Sequence, residues 1–496
     1  ANLAKVGTGD TQVTSNDFVT TVTYHDGSSA LNASTASHIL SGLDGSGTIT
    51  IGGDHTLTIH SNTGADRSFS GNIDASGSAG ATTLLKTGDG KQILSGDVKL
   101  AGTNSGWLNV SDGTLSLAGS NKSYNFEYLT GSGGVLELNT TSSTTDIELG
   151  FANTTSSKSY DGNISMVAGE DVTIQVASGT AASDYNKEQN ITGVISGSDK
   201  LIKTGVGRLV LAENNTNSGG VDIDDGTLVI GNDDNDADAG SGTITINKGK
   251  LEVLADDTVG NTISGGTGKS MIGGDGTITS VTVGSAAGEI DAISPGEGHS
   301  SSTSSAGSTQ QVARNDSLAD AIGSLTITTL NLNDGGVFDW EIGDFSGSTA
   351  GSDWDLLNVG TLNFDPSSST MTVNILPLIA DGSMGATPGG MWSNKTGISG
   401  FKFLDVTTWA NAPGSSQTLT SGFDINSSAW LYHKSDPYAD WSVYYDTGTS
   451  AFYLQYSAVP EPSTYIMVTG LLMVPGMSYV RRFRKRKCNE TVEEEP

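Results

Sequence analysis

The chain is 496 residues long and carries 24 Lys and Arg against 55 Asp and Glu, a formal net charge of −31. That balance argues against a nucleic-acid partner, because neutralising phosphates needs clustered cations. With 35% hydrophobic residues, 67 Gly, 10 Pro and one Cys, and with Ile, Val and Leu gathered in short runs, a thin repetitive core is expected rather than a disordered acidic coil.

The chain opens at Ala1 without an initiator Met or an apolar run behind a charged segment, as expected of a mature protein whose secretory signal has been removed. Cys488 falls near the other end, so an intrachain disulfide and a Cys-based zinc site are excluded.

From about residue 40 to 290 the text is a series of short strands broken by Gly, Asn and Asp. Ser46-Gly47-Thr48-Ile49-Thr50-Ile51 recurs as Ser241-Gly242-Thr243-Ile244-Thr245-Ile246, and Gly276 to Val283 is a third variant. Each is period two, with Ile or Val on one face and Thr on the other, so Ile49, Ile51, Ile244 and Ile246 are expected to point inward. A longer unit also repeats. Leu84-Leu85-Lys86-Thr87-Gly88-Asp89-Gly90 leads to Asp112-Gly113-Thr114-Leu115, and Leu201-Ile202-Lys203-Thr204-Gly205-Val206-Gly207 leads to Asp225-Gly226-Thr227-Leu228.

Strands this short cannot bury an apolar face alone, whereas stacked coils make a continuous ladder around a narrow core. No helical period longer than two turns appears before the tail, so tight Gly-bearing corners must join the strands. The fold expected is all-β: a parallel β-helix or solenoid over 1–335, at roughly 23 residues per coil. An antiparallel sandwich series is the alternative. The Ser/Gly-rich stretch 298–318 reads as a flexible surface insertion.

Composition then changes, with six of the seven Trp between Trp340 and Trp441. Residues 336–458 read as an aromatic-rich β domain or a cap on the solenoid. Trp and Tyr faces can stack on sugars, but Trp340 and Trp354 alternate with Phe338 and Leu356 in strand-like text and are expected to be core. The polar stretch Ala1 to Ala30 offers no capping helix for the opposite end. Self-association through terminal β-pairing, into oligomers or filaments, is therefore expected.

The tail, 459–496, is the most specific text. Pro460-Glu461-Pro462 precedes an apolar stretch, 463–480, just long enough for one membrane-spanning helix. Arg481, Arg482, Arg484, Lys485, Arg486 and Lys487 follow and would stay cytoplasmic by the positive-inside rule, leaving the rest of the chain outside. This ending resembles the PEP-CTERM sorting signal. The resemblance implies Pro460, Glu461 and Pro462 as recognition residues for an exosortase-type processing enzyme in an exopolysaccharide-producing Gram-negative bacterium, with transient anchoring in the inner membrane. Unlike that signal, the chain runs on from Cys488 to Pro496. The Lys-Thr-Gly-x-Gly and Asp-Gly-Thr-Leu units resemble the autotransporter-associated β-strand repeat, which implies a passenger-type β-helix. The array of amphipathic strands that an autotransporter's own barrel needs is missing, so self-translocation is not expected.

Candidate chemistry is sparse. Neither G-x-S-x-G nor H-E-x-x-H occurs. Gly265-Gly266-Thr267-Gly268-Lys269-Ser270 lacks the first Gly of a phosphate-binding loop, Ile263 standing in its place, and reads as a corner. In the acidic loop 233–240, Asp234, Asp236 and Asp238 could converge on Ca²⁺, or the loop could be a solvated turn. Carboxylate pairs such as Asp224 and Asp225 exist, but sequence cannot set their separation. Two functions follow: a non-enzymatic structural or adhesive component of the cell surface or matrix, with exopolysaccharide or other surface glycans as partners, or a surface polysaccharide-active lyase or hydrolase.

Overall fold

The computed structural model describes residues 20–23, 30–33 and 37–457, apart from 65, 78–79, 101–105, 120–121, 140–144, 150–157, 168–170, 178–183, 185–186, 232–236, 297–299, 302–310, 313–320, 379–398 and 428–439. Through its first part each coil lays one strand on each of three faces. One such coil comprises Thr82–Thr87, Lys91–Leu94 and Val98–Lys99, and the next comprises Gly106–Val110, Thr114–Leu117 and Ser123–Phe126. Every one of these strands pairs in parallel with its counterpart one coil away.

Period-two text supplies the inward columns. On the third face, register carries Ile49 over Ile73, Val98 and Tyr124, all buried, and farther along carries Ile174 over Lys203, Ile223 and Ile246. Ile49, Ile51, Ile244 and Ile246 point inward as expected, and Thr48 and Thr50 face solvent. One apolar cluster follows the axis from Leu40 to Leu454. Each aliphatic side chain so buried is worth about 1.5–3 kcal/mol, which only stacking can collect for strands of three to five residues.

The section of the rod changes along its length. The sheet on the third face ends at Ile263–Gly265, where the Gly265 amide donates to the Gly288 carbonyl (3.1 Å) of the following turn. Beyond it, coils use two faces with longer strands: Thr277–Val283, Ser324–Leu332, Leu356–Asn363 and Phe401–Trp409 on one, Val337–Ile342 and Met371–Pro377 on the other. Aromatic rings fill the space between them. Phe338 stacks on Phe403 with centroids 5.9 Å apart, and Trp354 meets Phe401 edge-on at 5.2 Å.

The parallel ladders thus run on across residue 335, and the richness in aromatics that begins at 337 marks this two-sheet section rather than a break in the sheets. Pairing turns antiparallel where Phe401–Trp409 meets Ala451–Ser457, which in turn pairs Asp440–Asp446. Within the 298–318 stretch, Ser300–Ser301 pairs Gln311–Val312 antiparallel.

Candidate functional site

The two copies of the long repeat build the same corner. Lys86 and Lys203 each occupy an inward column between aliphatic side chains, Lys86 between Ile59 and Val110, Lys203 between Ile174 and Ile223. At the strand end the ammonium turns into the corner. Lys86 Nζ donates to the carbonyls of Thr87 (2.9 Å), Gly88 (2.7 Å) and Asp112 (3.1 Å); Lys203 Nζ donates to those of Thr204 (2.9 Å), Gly205 (2.7 Å) and Asp225 (3.0 Å). Two of the acceptors belong to the lysine's own corner and the third to the corner one coil on. Three donors meet three acceptors, so each lysine staples successive coils with its hydrogen-bonding capacity filled.

The rest of the motif makes that corner possible. Gly88 and Gly205 have φ of +74° and +73°, and Gly113 and Gly226, in the next coil, +62° and +73°. A Cβ on Gly226 would collide with the Gly205 carbonyl oxygen, and one on Gly113 with that of Gly88. Asp112 and Asp225 each accept from the following Gly amide at 2.9 Å. Burial pulls Lys203 down to about 7 and Lys86 to about 8, with Asp225 and Asp112 respectively opposing the shift.

The copies stand at different corners of the triangular section. Thr82–Thr87 turns from the first face into the second, whereas Leu201–Thr204 turns from the third into the first. Residues 84–117 and 201–230 match the passenger-associated-transport-repeat family. The chain therefore carries autotransporter-associated repeats, and both matches end one coil beyond their lysine. Such passenger repeats suggest an exported, cell-surface protein of a Gram-negative bacterium. No curated protein and no solved structure matches the chain.

A second polar assembly lies on the first face, on the side turned away from the lumen. In Gly249–Val253 and Val337–Ile342 the residues Leu251, Val253, Phe338, Trp340 and Ile342 fill the lumen, while Lys250, Glu252, Asp339 and Glu341 alternate with them and are buried as well. Arg208 Nη2 donates to Glu252 at 2.7 Å and its Nε to Glu188 at 3.1 Å. Lys250 Nζ lies 3.5 Å from Glu252 and donates to the Gly296 carbonyl at 3.1 Å. It reaches there across Gly273, where a Cβ would stand 2.5 Å from its Cε.

Asp355 completes the assembly. Its amide donates to the Glu341 carbonyl (2.9 Å), and its carboxylate accepts from the amides of Glu341 (2.8 Å) and Gly323 (3.0 Å). Asn374 donates to Asp339 at 2.6 Å. Burial pushes Asp339 up to about 7, and it raises Glu341 and Asp355 well above the carboxylate range, each augmented by a neighbouring carboxyl.

Of the residues singled out from sequence, Asp238 is half-buried. Its backbone carbonyl accepts from the Asn215 side chain (2.6 Å), and burial raises its carboxyl. Asp234 and Asp236 lie outside the described residues, as do Pro460, Glu461 and Pro462, the apolar stretch 463–480, and Arg481, Arg482, Arg484, Lys485, Arg486 and Lys487. Among the described residues no three His, Cys, Asp or Glu side chains are placed to hold a metal ion, and no helix is long and apolar enough to cross a membrane.

Gly265 to Ser270 is a corner in which several amides bond within the rod. Gly266 donates to the Ile246 carbonyl and Gly268 to that of Asn247, both at 2.8 Å, and Ser270 donates to Asp291. Asp224 accepts from Asn247 and Asp225 from Lys248, so that carboxylate pair serves adjacent coils. Trp340 and Trp354 are buried, and Trp354 Nε1 donates to the Lys402 carbonyl at 2.9 Å.

Sequence reasoning missed the staple and the carboxyl assembly. The recurrence of a Lys at the end of an apolar strand was a usable signal for the first; Asp339 and Glu341, alternating with aromatics, read as ordinary solvent-facing positions.

Proposed function

We propose that this chain is a non-enzymatic, exported β-solenoid that serves as a structural or adhesive component of the cell surface or extracellular matrix. The observation that carries the reading is the corner staple. In the two units that match the passenger repeat, every donor of Lys86 and Lys203 is committed to backbone carbonyls of its own coil or the next, so these two lysines serve the rod. Some carboxyls are taken up within the rod as well. Asp224 and Asp225 bond to neighbouring side chains, and Glu341 and Asp355 are fully buried, out of reach of a polymer.

In this reading the tail delivers the rod. Pro460, Glu461 and Pro462 are read by an exosortase-type enzyme, 463–480 spans the inner membrane before processing, and the cations of 481–487 hold the end cytoplasmic. Surface glycans and further copies of the chain are the partners. Ca²⁺, held near Asp234, Asp236 and Asp238, is the candidate ion. Incubation with uronate-rich and neutral polysaccharides, with and without Ca²⁺, is expected to release no new reducing ends or unsaturated products. Turnover abolished by a single Asp substitution would replace this reading with that of a surface lyase or hydrolase. Intact-mass measurement of the native secreted protein is expected to show loss of the segment after Pro-Glu-Pro, and an unprocessed tail would remove the sorting step.

A further inference from the structure

We propose that the buried carboxyl cluster on the outer side of the first face is a proton-operated latch: the two-sheet end of the rod takes up protons as it folds, is firm in acid, and loosens as pH rises.

The proposal begins with Glu341. Its side chain is fully buried, and among the described residues neither Oε1 nor Oε2 has a hydrogen-bond partner. An ionised carboxylate in that setting would carry a desolvation cost that no hydrogen bond among the described residues offsets, whereas a protonated one is a small neutral group. Its surroundings raise the cost. Asp339 stands two residues away on the same strand, Asp355 is held against the Glu341 backbone from the start of the next second-face strand, and Asp275, following Ser270–Gly274, faces Asp355. Among the described residues Lys250 is the one cation acting on Asp339, Glu341 and Asp355, and it is already shared with Glu252 and the Gly296 carbonyl. Arg208 is spent on Glu188 and Glu252. Asn374 satisfies one oxygen of Asp339 without neutralising it. Because no three acidic or His side chains among the described residues are placed for a metal ion, protons are the counter-charge this arrangement calls for.

The sign follows from linkage. A carboxyl whose folded value lies above its unfolded one stabilises fully below the unfolded value, near 4, and that stability is lost as pH rises through the folded value. Asp339, pushed up to about 7 by burial, places the loss between about pH 4 and 7 for that group, and Glu341 and Asp355 shift in the same direction. Each proton held only by the folded state changes the unfolding equilibrium about tenfold per pH unit across its window. Ordinary surface carboxylates, whose pKa values fall when they gain partners, act in the opposite sense.

The test is guanidinium unfolding of the full-length chain, followed by Trp fluorescence, at about pH 5 and about pH 7 in salt high enough to screen the surface charge. Six of the seven Trp lie between 340 and 441, so the signal reports on this section. The wild-type unfolding constant is expected to rise at least about tenfold between the two pH values. Glu341→Gln, neutral at both, is expected to lose about tenfold of that rise. Asp339→Asn is the second variant, with a smaller loss expected in the same direction. A wild-type constant that is flat or falls with pH overturns the latch even if neither variant folds. A rise that both folded variants retain in full overturns the assignment to this cluster.

Discussion

Lys203 donates from Nζ to the carbonyl oxygen of Asp225 at 3.0 Å, 22 residues and one coil farther along the chain. Lys86 and Asp112 stand in the same relation at 3.1 Å across 26 residues. The spacing of the sequence motif is therefore the circumference of the coil, and the difference between copies is taken up in loops that leave the corner unchanged.

Removing the staple should be costly. Lys203→Met keeps the aliphatic stem but strands three corner carbonyls, and is expected to destabilise by about 2–4 kcal/mol at about 1–3 kcal/mol for each buried group not rescued by water. Lys200→Met, which breaks only the half-exposed pair with Asp222 (2.9 Å), should cost under about 1 kcal/mol. Equilibrium denaturation of the two variants side by side decides; equal costs would contradict the staple.

The corner glycines provide a backbone test. Gly226→Ala demands a left-handed backbone of an L-residue and drives Cβ into the Gly205 carbonyl, so a loss of more than about 1 kcal/mol is expected. Gly414→Ala has open space around it and should be neutral within about 0.5 kcal/mol. Thermal midpoints of the two variants compare these directly.

The alternation of the strands can be read by charge. Ile244→Asp places a carboxylate in the lumen between Val221 and Ile263 and should cost several kcal/mol, on the order of 3–5, or prevent folding. Thr245→Asp, one residue along and turned outward, should be tolerated. Comparable losses from both would mean that the face assignment is wrong.

Much of the rod was legible because its cause is local. The Thr-Ile-Thr-Ile text at Thr48–Ile51 and around Ile244–Ile246 fixes strand type and facing, and the absence of crossover helices demands parallel coils. The change from three faces to two after Ile263–Gly265 was not legible, since Ile244–Ile246 and Thr277–Val283 share the same alternation and differ mainly in length. Nor was the carboxyl cluster. Asp339 and Glu341 are buried through contacts with Asp355, Asn374 and Lys250, which no window around Val337–Ile342 contains.

The buried ion pair makes a further prediction. Arg208→Met removes the closer of the two cations at 2.7 and 3.5 Å from Glu252, and is expected to cost about 3–5 kcal/mol. Adding Glu252→Gln should recover part of that loss, because the stranded charge is removed together with its partner. A double variant no better than the single one, measured by chemical denaturation, would show that the pair does not act as a unit.

Amide hydrogen exchange on Lys203→Met tests the staple most directly, because it reports where protection is lost as well as how much. Protection should fall in Leu201–Thr204, Arg208–Leu211 and Thr227–Ile230, the strands that meet at the stapled corner, and should stay at wild-type levels around the intact Lys86 corner and in Phe401–Trp409. Unchanged protection at 201–230, or a uniform loss along the whole rod, would contradict the account of these repeats as corner staples.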